Sequence, residues 1–93
     1  ERDLRLALSR DPSNTTALGA MAELEFNRQH YLPARAFIER RLASGPATAA
    51  VLKLASQIEE RLGDKAAASR YVQRIRAEFP DARDVTTGGN AGP

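Results

Sequence analysis

The chain has 93 residues, 42 % of them hydrophobic, with three Phe, two Tyr and neither Trp nor Cys. The missing cysteine excludes disulfides, thiolate zinc sites and cysteine nucleophiles. With 14 basic against 12 acidic side chains, the net charge of +2 is too balanced to mark a surface for nucleic acid or an anionic membrane.

Taken in order, the chain opens at ERDLRLAL, without Met and already in helical pattern. No signal peptide is visible, and the opening reads as the interior of a longer protein. Leu4, Ala7 and Leu8 place a helix over residues 1–11, which Pro12 ends. Ser13, Asn14 and Thr15 are N-cap candidates for a second helix, whose apolar stripe is Leu18, Met21, Ala22 and Leu24. A break near Arg28–His30 follows. A third helix starts around Tyr31 and carries Ala34, Phe37, Ile38, Arg41 (by its stem) and Leu42. Pro33 then falls in the first turn, where the N–H groups have no intrahelical partner and proline is tolerated. Leu52, Ala55, Ile58 and Leu62 make a fourth stripe. Gly63 suits the left-handed C′ position after it, and Asp64 the N-cap of the next helix. Ala68, Tyr71, Val72, Ile75 and Phe79 make the fifth. ARDVTTGGNAGP, residues 82–93, has no apolar period and reads as a flexible tail. No apolar run approaches the roughly 18–20 residues that span a bilayer.

The three prolines at 12, 46 and 80 are evenly spaced (46 − 12 = 34; 80 − 46 = 34). At the same offset Leu18 meets Leu52, Glu25 meets Glu59, Ala34 meets Ala68, Arg40 meets Arg74 and Ala43 meets Ala77. Such self-similarity marks a repeat of one supersecondary unit that stacks on its neighbours. The expected organisation is all-α: residues 1–14 as the second helix of a truncated upstream repeat, units at 15–48 and 49–82, and a tail at 83–93.

These residues resemble the tetratricopeptide repeat (TPR) family, whose 34-residue helix-turn-helix units keep small, large and proline positions in fixed places. The signature positions hold Leu18, Met21, Ala22, Tyr31, Ala34, Ile38, Leu42 and Pro46 in one unit. In the next they hold Leu52, Ala55, Ser56, Gly63, Ala68, Val72, Ile75 and Pro80. The family's usual Trp and Tyr of the first helix are missing, with Glu25 and Glu59 at the Tyr position, and Gln29 stands where Gly is usual. The resemblance implies an α-solenoid of antiparallel helix pairs, here about five helices. A narrower likeness joins Leu62-Gly63-Asp64, Ala67, Ala68, Tyr71, Ile75, Arg76, Phe79, Pro80 and Asp81 to the last repeats of the type IV pilus biogenesis/stability (PilF/PilW, pilotin) family. It implies a lipoprotein on the periplasmic side of the outer membrane, anchored through an upstream lipid, that helps the pilus secretin assemble.

In the resembled family the first helix of each unit lines a concave binding groove. Carried over, the partner-binding positions are Thr16, Gly19, Glu23, Phe26 and Asn27, then Ala50, Lys53, Gln57, Glu60 and Arg61. Phe26, with polar Glu60 as its counterpart, is the aromatic candidate for anchoring a peptide; packing against a preceding unit or against the turn is the competing reading. The second helices carry Arg35, Arg40, Arg41, Lys65, Arg70, Arg74 and Arg76 against Glu39 and Glu78, a basic stripe. Lone His30 lacks the three or four convergent ligands of a metal site and the orienting third group of a nucleophile-base pair. It aligns with Asp64 and reads as a cap or an exposed turn residue. The reading is therefore a non-catalytic protein-protein interaction scaffold without metal, cofactor or nucleic acid, pilotin-like by resemblance. The alternatives are a general TPR adaptor, cytoplasmic or in another envelope complex, and an accessory region of an upstream enzyme.

Overall fold

The computed structural model describes residues 2–11 and 14–81. It is all-α, with five helices: α1 (Arg2–Arg10), α2 (Thr15–Asn27), α3 (Tyr31–Ser44), α4 (Ala49–Leu62) and α5 (Lys65–Glu78). The chain forms two compact units that meet at Pro46 and Ala47, two residues ahead of the sequence boundary at 48/49. The tail expected at 83–93 and the helix-ending Pro12 lie outside the described residues.

In the first unit α2 and α3 form an antiparallel hairpin with α1 packed on α2. Asn14 caps α2, its side-chain oxygen accepting the Ala17 N–H at 3.0 Å. The hairpin's open end is tied where Thr15, at the start of α2, shares a 3.0 Å hydroxyl hydrogen bond with Ser44, at the end of α3. Its core is Ala17, Leu18, Met21 and Ala22 against Ala34 and Ile38. The expected stripe needs one correction: Leu24 is only half-buried, and the inward position is taken by Glu25. Helix geometry explains this, since 18, 21, 22 and 25 share one face at i, i+3, i+4 and i+7, whereas 24 turns away. Pro33 sits in the first turn of α3, as the pattern required. Arg41 is buried over its whole length, not only by its stem. Its Nη2 donates to the Pro46 carbonyl at 3.0 Å and its Nη1 to the Gly45 carbonyl at 3.5 Å. A cation thus holds the chain just past the negative end of the α3 dipole.

In the second unit α4 and α5 pack along each other. Thr48 caps α4 by accepting the Val51 N–H, and Asp64 caps α5 by accepting the Ala67 N–H at 3.0 Å. Leu52, Ala55, Ile58, Ala68 and Ile75 are buried, while Leu62, Tyr71, Val72 and Phe79 are half-buried. Ala67, Ser56 and Glu59 are buried as well.

The repeat is present in the fold. α4 begins 34 residues after α2 (49 − 15), and α5 begins 34 after α3 (65 − 31). Leu18/Leu52, Met21/Ala55, Ala22/Ser56, Glu25/Glu59, Ala34/Ala68 and Arg41/Ile75 are buried at both members. The corners match bond for bond. His30 N–H reaches the Glu25 carbonyl at 2.8 Å, as Asp64 N–H reaches Glu59 at 2.9 Å; Gln29 N–H reaches Phe26, as Gly63 N–H reaches Glu60.

Each corner needs one left-handed residue. Gly63 supplies it in the second unit with φ 84°, and Gln29 supplies it in the first with φ 66°. A side chain there costs about 1–2 kcal/mol of steric strain, partly offset by the roughly 0.4–1 kcal/mol that glycine loses through its freer unfolded chain. Gln29→Gly is therefore expected to stabilise by about 0.5–1 kcal/mol, and Gly63→Ala to destabilise by a similar amount. Urea denaturation of the two variants checks the opposed signs; shifts of the same sign would refute the account.

Candidate functional site

The expected partner-binding residues fall on α2 and α4, and they are described unit by unit. On α2, Thr16, Glu23 and Asn27 are exposed, whereas Gly19 and Phe26 are partly covered. A methyl added at Gly19 would lie 3.8 Å from Cδ of Arg41. Gly19 therefore looks across its own hairpin onto the Arg41 stem, with room for a small side chain. Phe26 meets the ring of Tyr31 edge to face, with centroids 5.6 Å apart and planes at 62°. The pair bridges the end of α2 and the start of α3, so the most conspicuous aromatic of the expected groove packs on the corner. Such a contact contributes about 0.5–1.5 kcal/mol beyond area burial.

On α4, Lys53 and Gln57 are partly covered, and Glu60 and Arg61 are exposed along with Ala50. Glu60 borders a groove it shares with α5, where Lys65, Ala68 and Arg76 are among the lining residues. Sequence reasoning missed that groove, because it depends on where the end of α4 lies against α5.

His30 is the residue before α3 and makes no side-chain cap bond to it. Its ring turns back instead, and Nδ1 lies 2.7 Å from Oε1 of Glu25. The Glu25 side chain is 7 % exposed, and its other oxygen is 3.9 Å from Nη2 of Arg5 on α1. A buried carboxylate is thus held from two sides by cation-capable groups, which burial of a charge requires. The geometry is that of a structural clasp joining α1, α2 and the corner. Among the described residues no three of His, Cys, Asp and Glu converge on a point that would hold a metal, and no helix is long and apolar enough to cross a membrane. Every fully buried side-chain nitrogen or oxygen among them has a hydrogen-bond partner.

No protein-family model, curated protein or solved structure matches the chain.

Proposed function

We propose that the chain is a non-catalytic protein-interaction scaffold of the tetratricopeptide type, forming part of a pilotin-like protein that assists assembly of a type IV pilus secretin. What supports the reading most is the duplicated hairpin. Two units recur at 34 residues, with the same corner hydrogen bonds and six buried positions in common. Repeats of this size give extended surfaces suited to holding a partner segment. The pilotin part rests on the Leu62–Asp81 segment, whose Gly63 and Asp64 form a left-handed C-cap and a side-chain N-cap.

In this proposal the exposed positions Thr16, Glu23, Asn27, Glu60 and Arg61 contact a protein partner, and Phe26 and Tyr31 shape the end of α2. The site is on the periplasmic side of the outer membrane, reached through an upstream lipid anchor. The experiment is co-purification of the tagged full-length protein with the secretin from detergent-solubilised membranes, beside a count of secretin multimers in a deletion strain. Co-purification and loss of multimers are expected. Unchanged multimers and no secretin retained by a fully helical protein would overturn the pilotin reading, leaving a general adaptor or an accessory region of an enzyme.

A further inference from the structure

The second unit carries a surface on α5 that shares only Glu60 with the α2 and α4 positions discussed above. The groove between α4 and α5 has a volume of about 610 Å³, within the range of roughly 300–1,000 Å³ that accepts a small ligand or several side chains. Its apolar part is Ala68, buried, and Val72, half-buried. Ser69 and Gln73 add neutral polar groups beside them, and the cations Lys65 and Arg76 also line it. Positions 65, 69, 72 and 76 advance by four, three and four residues, so they form one face of α5 along three turns.

Among the described residues, most cations of α5 are without an acidic partner. Arg74 is bound to Glu78 by 3.1 and 3.4 Å hydrogen bonds. Lys65, Arg70 and Arg76 have no ion pair or side-chain hydrogen bond among the described residues. Among the described residues, Glu60 of α4 is the one carboxylate that lines the groove.

From this juxtaposition of a small-residue apolar floor with uncompensated cations eleven residues apart on one helix face, we infer that the groove docks a short helical segment of a partner protein, with an apolar ridge flanked by carboxylates. The fit is geometric as well as electrostatic. Eleven residues of helix span about 16 Å, so the occupant carries its acids roughly three turns apart, with small or branched apolar residues between them. Side chains spaced at i, i+3 and i+4 make the ridges that settle into such a groove. Ala68 gives the groove its depth, which favours an inserted side chain over the headgroups of a flat lipid surface. Glu60 sets a limit on how acidic the occupant is, because it repels a carboxylate placed against it.

A display library of helix-forming peptides, with the ridge and flanking positions randomised, is selected against the full chain. Two enriched peptides are then titrated by fluorescence anisotropy. Enriched sequences are expected to place Asp or Glu on either side of an apolar pair. Their affinity should fall at least tenfold in Lys65→Glu and in Arg76→Glu, should rise in Glu60→Gln, and should change little in Arg70→Glu, on the same helix outside the groove. Circular dichroism of each variant confirms that the helices persist. Four results would overturn the inference: peptides without acid enrichment, an equal loss in Arg70→Glu, binding to phosphatidylglycerol vesicles in place of peptides, or self-association of the chain that Arg76→Glu abolishes.

Discussion

Replacing Ile38 by alanine is expected to lower the melting temperature by about 10–20 °C, the largest effect of any single truncation considered. Ile38 has no exposed surface and lies in the middle of α3, facing the α2 residues Leu18, Met21 and Ala22 that are equally enclosed. Ile→Ala removes apolar contact and leaves a cavity, which costs about 2–5 kcal/mol. A small domain has only roughly 5–15 kcal/mol of stability, and each kcal/mol moves the midpoint by about 4–8 °C at this chain length. The internal control is Val72→Ala, the same repeat position 34 residues on. Val72 is half-buried, so its truncation gives up less contact and opens no closed cavity, and a shift of about a third of the Ile38 value is expected. Far-UV circular dichroism melts of both variants measure the difference. Equal shifts would mean that burial at this position does not control stability.

Most of the helical architecture was legible in the sequence because its signals are local. Apolar spacing, the cap at Asp64 and the glycine at 63 each act within a few residues and appear in the structure where the pattern put them, and of the three cap candidates Ser13, Asn14 and Thr15 it is Asn14 that caps α2. Side-chain destinations depend on what faces them. Hydropathy alone places Leu24 inside and Glu25 outside, whereas the angle around the helix turns Glu25 inward and Leu24 away. The identity of Glu25 and Glu59 across the overlay was a usable sign that this position faces inward. Arg41 was expected to bury its stem; the carbonyls that accept its head belong to Gly45 and Pro46, beyond the helix end. The edge-to-face contact of Phe26 with Tyr31 needs the corner's left-handed residue to fold α3 back along α2. The groove beside Lys65 and Arg76 is edged by Glu60 of α4, so a reading of α5 alone finds only a basic stripe.

His30→Ala is expected to lower the melting temperature by about 5–15 °C, although the histidine is more than half exposed. An exposed turn residue is ordinarily replaceable, with effects within roughly 0.5 kcal/mol. Here the ring is the near partner of a buried carboxylate. Nδ1 is 2.7 Å from Glu25 Oε1, whereas Arg5 stands off at 3.9 Å from the other oxygen. Removing the ring strands Glu25 with a distant cation, and an unsatisfied buried polar group costs about 1–3 kcal/mol, more when it is charged. Arg5→Ala should cost less, about 0–1 kcal/mol, because its contact is long and its side chain is largely in solvent. The decisive variant is the double change Glu25→Leu with His30→Ala. It removes the charge together with its partner and extends the apolar face of Leu18, Met21 and Ala22 by one residue. Replacing a buried polar pair by apolar groups of similar volume is often neutral or stabilising. The double variant should therefore recover most of what His30→Ala loses. Failure to recover, with His30→Ala itself as costly as expected, would show that the histidine ring supports the corner by packing and not through the carboxylate.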